Sequence, residues 1–223
     1  MPEPKSTNIA RTIPHVARAT REANLGQQGV TVWFTGLSAS GKSTVALLVD
    51  RLLSERGHHC CVLDGDNIRR GLNSDLGFSP EDRNENIRRI GEVARLFATH
   101  GTVALTAFIS PYRVDRDRNR RIHDPGDFIE VFVDCPLEVC EERDPRGLYA
   151  KARAGEIPEF TGVTAPYEPP LKPEIVLHTE REAEDESAAT VVSYLEVHGY
   201  LDGSAPGHAA TSSTERLAGE TPR

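Results

Sequence analysis

A three-layer α/β fold, with a five-stranded and mainly parallel sheet between helices, is predicted by three observations. Residues 36–44 read Gly-Leu-Ser-Ala-Ser-Gly-Lys-Ser-Thr and satisfy G-x-x-x-x-G-K-[ST]. That loop lies between a β-branched and aromatic run, Val30 to Phe34, and an apolar pattern at helical spacing from Val45 to Leu53, the context a phosphate cradle requires. Further strand-like runs alternate with helical patterns, and 223 residues with 38% apolar composition suffice for one buried core but not two full domains.

The loop fixes the chemistry of its surroundings. Gly36 and Gly41 accept turn conformations closed to residues bearing a Cβ, so successive backbone N–H groups and the positive end of the following helix can face a polyphosphate. Lys42 then reaches the β- and γ-phosphates, and the Ser43 hydroxyl is placed for Mg²⁺.

Composition narrows the classes. A net charge of −8 argues against a nucleic-acid surface as the main role. Of the 26 basic residues only Lys5, Lys42, Lys151 and Lys172 are lysine, so arginine dominates, with several in the middle of the chain. Cys60, Cys61, Cys135 and Cys140 have neither C-x-x-C pairing nor disulfide-rich density, and read as reduced thiols. No apolar run reaches about 18 residues and the first residues lack a secretory apolar core, so a soluble, cytoplasmic protein without a membrane span is expected.

In chain order, residues 1–28 carry Pro2, Pro4 and Pro14 with no sustained apolar period and are expected to form a mobile arm with room for a short helix. His58 to Leu63 is the second strand. The adjacent histidines and cysteines there point to opposite faces and cannot converge on one ion. This strand runs into Asp64-Gly65-Asp66-Asn67, which places carboxylates at the strand's carboxyl end, where open α/β sheets gather ligands. Ser79 is a good N-cap and Pro80 a good first residue for a helix with an Ile87, Ile90, Val93, Ala94, Phe97 stripe, ending near Gly101. Phe78, just outside that stripe, is either a plug for the core or a platform for a base. Thr102 to Ile109 is the third strand, and Ser110 at its end can bond a substrate or cap the helix around Val114 to Arg121, with capping the default. Phe128 to Val133 is the fourth strand, with Pro136 opening the next helix. Residues 143–162 are basic and Gly/Pro-punctuated, the pattern either of a mobile lid whose Arg143, Lys151 and Arg153 approach phosphates on closure or of a solvated surface helix. Ala165 to Pro170 is a rigid proline-rich loop, Glu174 to His178 a fifth strand, and Ala188 to Val197 a closing helix. The expected domain is 29–201, with 202–223 a disordered tail of low apolar content.

Taken together, the loop at 36–44, Leu63-Asp64-Gly65-Asp66-Asn67-Ile68-Arg69, Leu76-Gly77-Phe78-Ser79, Asp82 to Arg89, Phe108 to Arg113 and Arg143 to Tyr149 resemble the adenylylsulfate kinase (APS kinase) family in its stand-alone form. The resemblance implies transfer of the ATP γ-phosphate to the 3′-hydroxyl of adenosine 5′-phosphosulfate (APS), giving PAPS. It implies ATP contacts from Gly36, Ser38, Ala39, Ser40, Gly41, Lys42, Ser43, Thr44, Arg143 and Lys151. APS contacts are implied for Asp66, Asn67, Arg69, Phe78, Arg83, Asn86, Ile109, Ser110, Val163 and Thr164, with Phe78 stacked on adenine. Catalytic roles fall on Lys42, Asp64 and Ser110, the last as the family's proposed phosphoenzyme position, although in-line transfer needs only positioning and charge neutralisation. Mg²⁺ would be held by Ser43 and Asp64. A homodimer and a functional link to ATP sulfurylase are also implied. Ala150 stands where the family commonly has a lid lysine, and Val163-Thr164 where Ile-Asp is frequent. The other readings are a P-loop kinase for another small hydroxyl substrate, and an inactive nucleotide-binding module, which would be expected to have lost Lys42 or the catalytic acids.

Overall fold

The computed structural model describes residue 6 and residues 14–202. Its elements follow in order: α1 Arg18–Leu25, β1 Val30–Thr35, α2 Lys42–Glu55, β2 Cys60–Asp64, α3 Gly65–Arg69, α4 Pro80–Ala98, β3 Val103–Ala107, α5 Arg113–Ile122, β4 Phe128–Asp134, α6 Leu137–Arg143, α7 Leu148–Arg153, β5 Ile175–His178 and α8 Glu184–Val197. The five strands form one sheet in the order β2-β3-β1-β4-β5, and every pairing is parallel. The chain moves to one side of β1 for β2 and β3 and to the other for β4 and β5. The carboxyl end of β1 is therefore the switch point, where a crevice opens.

Alternation along β1 divides the core. Val30, Val32 and Phe34 face α2 and α8 with Val45, Val49, Leu53, Val191 and Leu195. Trp33 faces the other way, among Ile87, Ile90 and Ala94 of α4 and Phe108 and Phe128. Both faces are covered, so β1, β3 and the first half of β4 are buried at every position rather than at alternate ones, Thr31, Thr35, Thr106 and Glu130 included. No helix among the described residues is long and apolar enough to cross a membrane.

Local signals account for most boundaries. The Ser79 side chain accepts from the Asp82 N–H and Pro80 opens α4, in agreement with the cap expected from sequence. Helix α8 begins at Glu184 rather than near Ala188, because Glu186 reaches back to the Ala183 N–H and three acids occupy its first turn. Short α3 has no apolar period to announce it; the Asp64 carboxylate nucleates it by accepting from Asp66 N–H at 3.0 Å.

Ser110 does not cap α5. The helix starts at Arg113 with Tyr112 as N-cap and no side-chain cap bond, and the Ser110 hydroxyl instead accepts from Trp33 Nε1 at 3.1 Å.

Within the stretch expected to be an arm, α1 is anchored. Arg18 bonds Asp127, Glu22 and the Gly29 carbonyl. The buried Gln27 amide donates to His59 and Gly101 carbonyls and accepts from His59 N–H, tying together the starts of β2 and β3. Gln27 also pairs antiparallel with Leu201, and Gln28 N–H bonds the Tyr200 carbonyl. The residues expected to form a disordered tail lie, past Asp202, outside the described residues.

Candidate active site

The phosphate loop runs from the end of β1 into α2. Gly36 adopts φ +153°, and a Cβ there would lie 2.5 Å from the Val133 carbonyl oxygen, so only glycine fits. Gly41 has φ +100°, and Ala39, with φ +59°, holds a left-handed conformation uncommon for a residue with a Cβ. Ser40 is fully buried, and its carbonyl accepts from the Thr179 hydroxyl at 2.8 Å. The Tyr149 hydroxyl of α7 donates to the Ser38 carbonyl at 3.0 Å. Neither Thr179 nor Tyr149 belongs to the site residues expected from sequence. Thr179 was legible in principle, since it follows β5 directly at the ligand-gathering end of the sheet.

Lys42 is buried, and its Nζ donates to the Leu37 carbonyl across its own loop at 2.5 Å. Burial pushes its ammonium down to about 8, against the opposing pull of Cys140, Asp64, Asp66 and Cys135. A triphosphate favours the charged form, so binding must supply a proton above that value. ATP-analogue affinity is therefore expected to be level below about pH 8 and to fall up to ~10-fold per pH unit above it. Ligand-free stability moves oppositely: the unfolded lysine, at 10.5, holds its proton longer, so stability rises between about 8 and 10.5. Analogue titrations from pH 7 to 9.5 check the first statement, and a flat profile contradicts it.

Ser43 Oγ donates to Asp64 Oδ2 at 2.7 Å, joining the first turn of α2 to the end of β2. A hydroxyl and a carboxylate in contact at the mouth of the loop are hard oxygen donors that suit Mg²⁺. Among the described residues no group of three or more His, Cys, Asp or Glu side chains forms a metal cage.

In the loop before α4, Phe78 is 67% exposed, which excludes the core-plug reading. The Arg69 guanidinium lies 4.3 Å from its ring centroid. Burial, and after it the nearby Arg83, lower the Arg69 pKa against the opposing pull of Asp82 and Asp66. Arg83 donates to the Phe78 and Glu159 carbonyls and to Thr161 Oγ1, so it spans from α4 to the segment after α7. Asp66 on α3 is paired with Arg146 from the lid side, and Asn67 is exposed beside it.

Other expected contacts are placed differently. Asn86 is buried, and its Oδ1 accepts from Asn73 Nδ2 at 2.9 Å, which braces the 70–77 turns. Ser110 is 1% exposed, and Arg116 Nη1 holds its carbonyl at 2.6 Å. A phosphoenzyme role would need this hydroxyl presented to solvent, and it is not. Ile109, next to it, is half-buried. Val163 packs within the lid's own apolar cluster with Leu37 and Tyr149, and Thr164 Oγ1 accepts from Phe160 N–H. Arg143 reaches the Thr179 carbonyl at 2.5 Å, adjoining the phosphate loop, whereas Lys151 is exposed on α7 and Arg153 is paired with Glu141. Thr44 is exposed in the first turn of α2.

Comparison with known proteins gives a consistent result. The profile of the family described as adenylylsulphate kinase matches residues 28–178. An adenylyl-sulfate kinase of Staphylococcus haemolyticus is 54% identical over 191 residues, covering 86% of this chain and 96% of the relative. A probable adenylyl-sulfate kinase of Halalkalibacterium halodurans is 58% identical over 180 residues, covering 81% and 89%. Among solved structures, that of the Mycobacterium tuberculosis APS kinase CysC in complex with AMPPNP and APS is 53% identical, with a TM-score of 0.73, covering 76% of this chain and 99% of that one.

Proposed function

This chain belongs to the adenylylsulphate kinase family, and from that premise we propose how its crevice transfers the γ-phosphate of ATP to the 3′-hydroxyl of adenosine 5′-phosphosulfate. The observation that supports the reading is that Asp64, bonded to Ser43 beside the phosphate loop, runs directly into α3, whose Arg69 lies over the Phe78 ring, while Arg83 bonds the Phe78 carbonyl. Lys42, Ser43 and Asp64 suit a triphosphate. Phe78, Arg69 and Arg83 offer an aromatic face and two guanidinium groups, which suits a nucleotide bearing a charged phosphosulfate.

The backbone of residues 36–44 and Lys42 hold the donor phosphates, with Arg143 beside the loop through Thr179. Ser43 and Asp64 would hold Mg²⁺, which when bound neutralises charge on the β- and γ-oxygens. Asp64 orients the acceptor hydroxyl and takes its proton, and transfer is direct and in line, because Ser110 is buried. Asp66 stands at the acceptor end, and its pairing with Arg146 joins that end to the lid side. The reading extends to a cytoplasmic homodimer, which light scattering tests, and to a supplier reaction of the ATP sulfurylase class that makes the adenylylsulfate.

A coupled assay with MgATP and adenosine 5′-phosphosulfate is expected to show ADP release dependent on the acceptor. Folded protein that releases none would remove the reading. Phe78→Ala should raise the acceptor KM by roughly 5- to 150-fold, the worth of ~1–3 kcal/mol for one stacked base, with the ATP KM little changed. An unchanged acceptor KM would point to a smaller, non-aromatic acceptor.

A further inference from the structure

Thr35 closes β1 immediately before Gly36 and is fully buried. Its single hydroxyl proton has one direction to go. Thr35 Oγ1 lies 2.7 Å from the Ile109 carbonyl, which can only accept, so Thr35 donates there, with a longer 3.4 Å approach to the Ser110 carbonyl. The Tyr167 hydroxyl, 3.0 Å away, is then left to donate to Thr35. The result is a directed chain, Tyr167 to Thr35 to Ile109, in which each bond polarises the next.

The chain joins three pieces that lie far apart in sequence. Its middle is the hinge of the phosphate loop. One end is the 109–110 turn after β3, where Ser110 is held at φ +41° and its carbonyl also accepts from Arg116. The other end is the proline-rich loop, whose Tyr167 ring stacks on Phe132 at 6.1 Å between centroids, and whose Glu168 carbonyl accepts from the same Arg116. Strain at a non-glycine residue persists only where its surroundings over-determine it.

We propose that Thr35 is a positioning residue that sets the spacing between the donor loop and the acceptor turn, with Tyr167 orienting its hydroxyl. The proposal rests on the reading that the 109–110 turn borders the acceptor. Neither side chain need touch substrate. Reacting atoms must lie within a few tenths of an ångström of in-line geometry, and a displacement of about 1 Å can cost ~100-fold in rate.

Thr35→Val keeps shape and removes the hydroxyl. It should lower kcat/KM for adenosine 5′-phosphosulfate by roughly tenfold or more, while affinity for a non-hydrolysable ATP analogue changes less than about threefold. Thr35→Ser should restore most of the loss. Tyr167→Phe leaves the Thr35–Ile109 bond in place and should give a smaller loss, about threefold, in the same parameter. A purely structural role would shift melting temperature and both substrates alike. Thr35→Val with unchanged acceptor kcat/KM, equal loss for donor analogue and acceptor, or no rescue by serine would overturn the proposal. Should Thr35→Val fail to fold, unchanged kinetics in Tyr167→Phe would do the same. Wild-type protein inactive toward adenosine 5′-phosphosulfate would instead defeat the underlying reading.

Discussion

Asp64→Ala is expected to lower turnover by about 10²- to 10⁴-fold, the range for a positioned proton acceptor, while leaving ATP-analogue affinity within a few-fold. The asymmetry follows from the geometry. Asp64 bonds Ser43 and the Asp66 N–H at the mouth of the loop, whereas the loop backbone and Lys42 form the cradle itself. Removing the carboxylate takes away both a repulsion toward the triphosphate and one of the two groups that would hold Mg²⁺, effects of opposite sign, so binding should change little. Asp64→Asn keeps the side-chain size and the turn bond but not the charge, and should lose nearly as much turnover. Single-turnover measurements separate the chemical step from binding, and equal losses in turnover and affinity would show that Asp64 acts in binding alone.

The second large effect is on stability. Arg116 is 2% exposed and donates to Glu130 Oε1 at 2.7 Å, to the Ser110 carbonyl at 2.6 Å and to the Glu168 carbonyl at 2.7 Å. Arg116→Met leaves the Glu130 carboxylate largely buried and two carbonyls without their donor. Urea unfolding is expected to show a loss of about 3–5 kcal/mol, with the lower end favoured because Arg120 lies 3.5 Å from the same carboxylate. Arg116→Met combined with Glu130→Leu should recover much of it, since the desolvated charge goes with its partner. A single-mutant loss below ~1 kcal/mol would mean the carboxylate finds water or a proton instead.

Asp64 and Arg116 also mark the two sides of what sequence can disclose. The phosphate loop, the five strands and the start of α4 depend on local pattern: glycine spacing, apolar periodicity, and Ser79 with Pro80 as a cap. All are short-range and readable directly. What escapes such reading depends on distant partners. Serine just before a helix usually caps it, yet the Ser110 hydroxyl belongs to Trp33, 77 residues away. The bond from Asn73 to Asn86, 13 residues on, is likewise carried by no local pattern. The proline-rich loop has the pattern of an incidental rigid segment, and its role emerges only from Tyr167 meeting Thr35 across 132 residues. Side chains placed to act on substrate carry a pattern, and those that brace them do not.

The stitching around Gln27 and Leu201 bears on local unfolding. Gln27 and Leu201 meet at the amino edge of the sheet, the length of a strand, roughly 20 Å, from the carboxyl edge where the phosphate loop lies. Replacing the Gln27 side chain or cutting back to Leu201 should therefore loosen the amino edge first, with hydrogen exchange rising at the starts of β2 and β3 before it rises at the phosphate loop.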